Sequence, residues 1–147
     1  MVDADNTAQL PVLGWREWFA LPELGIVQIK GKLDSGARSS CLHSTAVERL
    51  GYAYLRFRLP PSGKTARERW CQAPLLGYRW VTDSGGHREL RPFIRTALAV
   101  AGERWPVEIS LTARETMRFP LLIGRNALAG RFLIDPEQSY RCGRHRP

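Results

Sequence analysis

Along most of this chain, apolar and polar residues alternate in short runs. Each run meets a glycine, a proline or an Asp-Ser-Gly turn before a helical period can establish itself. That pattern constrains the fold to a mostly-β one, because period-two amphipathicity buries one face of a sheet and gives a helix no continuous stripe. WREWFA (Trp15 to Ala20) and IVQIKGKL (Ile26 to Leu33) read as strands joined by the LPELG turn ending at Gly25. YLRFRL (Tyr54 to Leu59) leads through the PPSGK turn (Pro60 to Lys64) to a return strand ending near Leu76. A second hairpin runs from YRWVT at Tyr78, through the tip DSGG (Asp83 to Gly86), to RELR, with Phe93 and Ile94 beyond. A third pairs RTALAV (Arg95 to Val100) with RWPVEISL (Arg104 to Leu111) about Ala101-Gly102-Glu103. FPLLIG (Phe119 to Gly124) and RFLIDP (Arg131 to Pro136) complete the strands. Two short helices are predicted: STAVERLG (Ser44 to Gly51), with Thr45 and Glu48 as a capping box, and RNALAG (Arg125 to Gly130), with Asn126 as its cap. The sum is a mostly-β barrel or sandwich-like domain.

At 147 residues the chain holds one domain with a real core. The first fifteen residues, with two acids and no apolar run, predict neither a signal peptide nor an anchor, and no later stretch approaches the ~20 apolar residues of a membrane span. Three widely spaced cysteines, Cys41, Cys71 and Cys142, suit a reducing cytoplasm and read as buried small hydrophobes. The net charge of +8 is scattered, with no run of five basic residues, and lysine occurs only at positions 30, 32 and 64. It reads as a solvated basic surface, with an anionic partner such as RNA or a ribosome as the alternative.

Chemistry concentrates in two units. In LDSGA (Leu33 to Ala37) a strand ends on an acid, a hydroxyl follows, and Gly36 lets main chain approach closely. In FPLLIGRNAL (Phe119 to Leu128) a buried strand ends on Gly124, where a second backbone can pass. From the tetrapeptide alone, Asp34 reads equally as a turn-capping residue. The two units together resemble the retropepsin-like aspartic proteases, in which an Asp-Ser/Thr-Gly-Ala loop is crossed by an apolar strand ending in Gly-Arg-Asn before a short helix. With GWRE (Gly14 to Glu17), KGKLDSGARSSCLH (Lys30 to His43), ELRP (Glu89 to Pro92), MRFPLLIGR (Met117 to Arg125) and FLIDP (Phe132 to Pro136), the set is similar to a bacterial family that carries the label ATP-dependent zinc protease. That family is associated with an ATP-grasp ligase that adds glutamates to a ribosomal protein.

The resemblance implies a closed β-barrel over residues 12–143, with a flexible N-terminus before it (1–11) and a short tail after it (144–147). It implies Asp34, Ser35 and Gly36 as the catalytic unit, supported by Ala37, Gly124, Arg125 and Asn126. An aspartic protease needs two carboxylates about 3 Å apart sharing one proton, and this chain has one convincing unit; the second is expected from another copy of the chain. The best lid over a peptide substrate is the second hairpin, tip Ser84, Gly85, Gly86 and His87, with the hairpin around Pro60 to Lys64 as the alternative. The expected cofactors are none, and the expected partners are a second copy, a peptide or protein substrate, and the ribosomal protein or the glutamate ligase. The sequence departs from the retroviral pattern at Arg38, where those enzymes carry an acid after the Asp-Thr-Gly-Ala unit, so Arg125 is expected to find another carboxylate.

Neither half of the family's label is written in the residues. A zincin needs HExxH, and His43, His87 and His145 have no such spacing; a phosphate loop needs a glycine where Arg58 precedes SGKT (Ser62 to Thr65). A zinc-binding hydrolase using His43, Cys41 and His87 is the first competing reading. A non-catalytic basic module binding RNA or a ribosomal protein is the second.

Overall fold

The computed structural model describes residues 9–61, 67–113 and 118–143. Ten strands follow one another: β1 Val12–Leu21, β2 Ile26–Asp34, β3 Ser40–His43, β4 Thr45–Leu50, β5 Tyr54–Leu59, β6 Arg69–Thr82, β7 Arg88–Val100, β8 Glu103–Thr112, β9 Leu121–Gly124 and β10 Leu133–Ser139. One short α-helix, α1 (Arg125–Leu128), follows β9, and a 3-10 turn over Pro22–Leu24 joins β1 to β2. All ten strands lie in one sheet of order β10-β1-β2-β9-β3-β8-β7-β6-β5-β4. A further pairing of β1 with β7, at Ala20 and Ala99, closes β1, β2, β9, β3, β8 and β7 into a six-stranded barrel. The mostly-β closed barrel expected from the sequence is the fold observed.

The inward face is mainly apolar, with Thr96 of β7 a buried polar exception. Phe19, Leu21, Leu42, Ile94, Leu98, Ile109, Leu111, Leu121 and Ile123 are essentially inaccessible, and Leu55 and Phe57 extend the core beneath the β4–β5–β6 flap of sheet. Burial of a side chain of this size stabilises by roughly 1.5–3 kcal/mol, so this cluster dominates the favourable side of folding. Gly31 makes room for it: a Cβ there would lie 2.5 Å from the Phe19 ring.

Several elements differ from the sequence reading. Residues 44–51, expected as a helix, form β4 and its turn. The two residues of the supposed capping box have cross-strand partners: Thr45 Oγ1 accepts from Arg58 Nε (3.4 Å), and Glu48 accepts from Arg56 (3.1 Å). Pairing with β5 outweighs helix propensity in so short a segment. The expected break between Leu76 and Tyr78 falls beside a bulge inside the single strand β6, where the register shifts between Leu75 and Gly77. RELR and RTALAV are likewise one strand, β7, so the second and third hairpins share it. β3 was not anticipated. The turn from Ser62 to Lys64, with the SGKT sequence, lies outside the described residues. Cys41 and Cys71 are buried as expected, whereas Cys142 is exposed. Burial pushes the Cys71 thiol above its usual range, against the opposing charge of Arg69.

The GWRE segment explains how the chain's end is tied to β1. Glu17 is fully buried. Its carboxylate accepts N–H groups from Gly14 (2.6 Å), Arg141 (3.0 Å) and Cys142 (3.1 Å). Gly14 is required because a Cβ would lie 2.4 Å from the Gln138 carbonyl oxygen on the adjoining β10. Replacing Glu17 with Gln exchanges a charged acceptor for a neutral one and turns an NH2 group toward at least one donor. We expect a loss of about 2–4 kcal/mol, read as a lower urea midpoint at unchanged slope; an unchanged midpoint would mean the three donors have other partners.

Candidate active site

Asp34 is the last residue of β2, and its position follows from the parallel pairing of β2 with β9. Gly31, Lys32, Leu33 and Asp34 lie beside Leu121, Leu122, Ile123 and Gly124, so the two strands end together. β9 is also antiparallel to β3 through Leu121 and Leu122, which brings the segment after Asp34 back across the end of β9. The contact there is so close that a Cβ on Gly124 would lie 2.4 Å from Ser39 O and 2.8 Å from Ser39 N. Only glycine fits.

Hydrogen bonds lace the crossing. Gly124 N–H donates to the buried Ser40 hydroxyl at 3.0 Å, and Ser110 Oγ donates to Ser40 O at 3.1 Å. The first residues of α1 cover the loop: Arg125 N–H donates to Ala37 O (2.8 Å), and Asn126 N–H to Arg38 O (3.1 Å). The Arg125 guanidinium donates to Gly36 O at 3.2 Å. It therefore braces the loop through a carbonyl, and among the described residues it pairs with no carboxylate, contrary to expectation. Gly124, not Asn126, is the N-cap residue of α1, and no side chain caps it.

Asp34 itself is half-buried. Its Oδ1 accepts the Gly36 N–H at 3.2 Å, and its carbonyl accepts the Ala37 N–H at 3.1 Å. The turn-capping role and the display of a carboxylate thus coexist, because a carboxylate accepting one N–H keeps lone pairs for other partners. Ser35 and Gly36 are exposed beside it.

The carboxylate faces a hollow of about 1070 Å³ walled on its far side by the β6–β7 hairpin. Asp83 and Ser84 from the tip reach this hollow; Gly85, Gly86 and His87 are exposed and do not line it. The tip is a closed turn, with Asp83 N–H donating to His87 O (2.9 Å) and His87 N–H to Asp83 Oδ1 (2.9 Å), and Gly86 takes a left-handed φ of 84°. Four arginines, Arg38, Arg79, Arg91 and Arg125, also border the hollow. Arg79 pairs with Glu108 (2.9 Å) and the buried Arg91 with Glu89 (3.3 Å). Glu89 also accepts from Thr112 Oγ1 at 3.3 Å, which accounts for the Glu and Arg of ELRP. Sequence reasoning missed Ser40, Arg79 and Glu108; only a hydroxyl heading the apolar SCLH run could have pointed to the first.

The residues of the zinc reading do not gather. Cys41 borders the Asp34 hollow, His43 borders a different one, and His87 sits at the hairpin tip. Among the described residues no group of three His, Cys, Asp or Glu side chains could hold a metal ion. His145 lies outside those residues.

A closed six-stranded barrel, with an Asp-Ser-Gly-Ala loop crossed by a glycine-ended strand, defines the architecture as that of an acid protease. The chain belongs to the RimB-like family, described as retropepsin-like aspartic endopeptidase RimB, whose model matches residues 12–145. A probable alpha-L-glutamate ligase of Parasynechococcus marenigrum is 37% identical over 140 residues, covering 90% of this chain and 29% of the relative. One of Shewanella pealeana is 33% identical over 136 residues, covering 90% and 30%. The chain thus spans about three-tenths of the length of these curated relatives. A Legionella pneumophila protein of unknown function, known from a crystal structure, shares the fold with a TM-score of 0.75 at 24% identity, over 90% of this chain and 98% of that one.

Two substitutions test the crossing. Ser40→Ala leaves the Gly124 N–H buried without a partner and is expected to cost about 1–3 kcal/mol. Gly124→Ala forces the two backbones apart and is expected to cost more, about 3 kcal/mol or above. Chemical denaturation orders them; equal, small losses would show that the crossing is looser than this geometry.

Proposed function

We propose that the chain is an aspartic endopeptidase whose reacting unit is a pair of Asp34 carboxylates, one from each of two copies related by a two-fold axis. The observation that carries this reading is a lone Asp34 held at the barrel crossing and open to a large hollow. The other acids bordering that hollow are engaged: Glu108 with Arg79, and Asp83 with the His87 N–H. A second copy is the source of an equivalent carboxylate. In the dimer, one Asp34 is ionised and takes a proton from water, whose oxygen attacks the scissile carbonyl; the other is protonated and polarises that carbonyl. Collapse of the tetrahedral intermediate breaks the C–N bond as the leaving nitrogen takes up a proton, and the shared proton is restored. Ser35 links the two loops through its hydroxyl, and Gly36 and Ala37 leave the carboxylates uncovered. No cofactor enters the cycle.

The β6–β7 hairpin, with its tip at Ser84, Gly85, Gly86 and His87, is the lid in this reading. Substrate lies extended beneath it and adds a strand to its edge. The arginines around the hollow favour a peptide or isopeptide substrate rich in carboxylates, and Arg38, exposed and without an ion pair among the described residues, is the one free to engage them. Relatives named as probable alpha-L-glutamate ligases contain this segment within a much longer chain. A glutamate tail on a ribosomal protein in the bacterial cytoplasm, made by such a ligase and trimmed here, is the substrate this association favours.

Asp34→Asn is expected to lower cleavage of a carboxylate-rich peptide library by about 10⁴-fold or more while leaving the fold intact. Wild-type cleavage is expected to be indifferent to chelators. Cleavage lost to a chelator and restored by zinc would replace this mechanism with the metal one. Salt-sensitive RNA binding that survives Asp34→Asn, without any cleavage, would favour the binding module instead.

A further inference from the structure

A second hollow, of about 740 Å³, lies beside the first half of β2 and shares no bordering residue with the one that Asp34 faces. Its floor is aliphatic, with Ile29 and Leu59 buried beneath it. Its rim carries Lys30, Arg67, Arg69 and Arg118, all exposed. Among the described residues, no aspartate or glutamate borders this hollow, and none of the four cations joins an ion pair. Elsewhere Arg56, Arg58, Arg79 and Arg91 each have a glutamate. Even Glu68, between Arg67 and Arg69 in sequence, turns away to Arg58 at 3.4 Å. Four like charges left together repel one another and concentrate anions between them.

The geometry points to this cleft as a binding site for an acidic peptide segment, one that presents successive Glu or Asp carboxylates. Arginine forks take carboxylates bidentately, and the short methylene stems of glutamates would rest on the Ile29–Leu59 floor. A nucleic acid fits less well, because its bases need open aromatic faces. Trp18, the one Trp, Tyr or Phe bordering the cleft among the described residues, already stacks on Tyr140 (centroids 5.7 Å apart) and is capped by Lys30 Nζ at 5.3 Å. Arg69 is fixed at the edge by donating to Gly25 O. Lys30 precedes Asp34 by four residues on β2, about 13 Å of strand. A tail gripped in the cleft would therefore keep its remaining length close to the first hollow. The site does not depend on any chemistry at Asp34.

The test uses the full chain carrying Asp34→Asn, so that nothing is cleaved, titrated with hexaglutamate at fixed ionic strength and followed by backbone amide shifts. Shifts are expected at Ile29, Lys30, Arg67 and Arg69, and the double variant Lys30→Glu/Arg118→Glu is expected to bind about tenfold more weakly or worse. Shifts confined to residues 34–38, or an unchanged affinity in the double variant, would overturn the proposal. So would an oligouridylate that binds the same residues more tightly than the peptide. Should the double variant fail to fold, the shift map on the Asp34→Asn chain decides alone. Because that chain lacks the proposed reacting carboxylate, loss of binding and loss of catalysis are read separately.

Discussion

The whole site hangs on one close approach of two backbones. At the end of β9 the chain passes Ser39 with no space for a side chain, and Gly124 meets that demand by having none. Three interactions then convert a steric allowance into a fixed geometry: Gly124 N–H to Ser40 Oγ, and the α1 amides of Arg125 and Asn126 to the carbonyls of Ala37 and Arg38. Each is individually modest, on the order of 1 kcal/mol, but they act on one short loop whose far end is Asp34. The barrel supplies the anvil, since Leu121 and Ile123 of β9 are fully buried and cannot shift without opening the core.

Charge shapes what the molecule can bind. Its excess of arginine is spent in two different ways. Around the Asp34 hollow most guanidiniums are anchored, Arg79 and Arg91 to glutamates and Arg125 to a carbonyl, so they lend field and shape without much freedom. In the cleft beside Lys30 the cations lack ion pairs among the described residues. On this account the two hollows share a preference for carboxylates but differ in role, one built around a reacting group and the other around retention of chain.

The crossing was legible in the sequence because its requirements are chemical as well as topological. An acid at a strand end, a Ser-Gly-Ala turn and an apolar strand stopped by glycine are each visible as residue types, and Asp34 and Gly124 do lie side by side. Alternation likewise revealed most of the strands. The misreadings fall where a local signal competes with a distant partner. Thr45 and Glu48 have the spacing of a helix cap, but Arg58 and Arg56 on the neighbouring strand claim them. Gly77 looks like the end of a strand but only follows a bulge within one: β6 slips register between Leu75 and Gly77 and stays paired with β7 on both sides. β3 was too short to show a period, and Ser40, which satisfies the Gly124 amide, gives no hint from sequence that its hydroxyl turns inward. The exposed Cys142 follows from the chain end being tied down by Glu17 at its backbone, which leaves the side chain outside.

The central claim is that one carboxylate per chain makes half a site. It is tested most directly by mixing: wild-type protein is equilibrated with increasing Asp34→Asn protein and its cleavage rate followed at constant wild-type concentration. If two Asp34 residues from two copies form the reacting pair, mixed dimers are inactive and the rate falls toward zero as the variant comes into excess. A rate that stays constant would show that each chain acts alone, and would contradict the account.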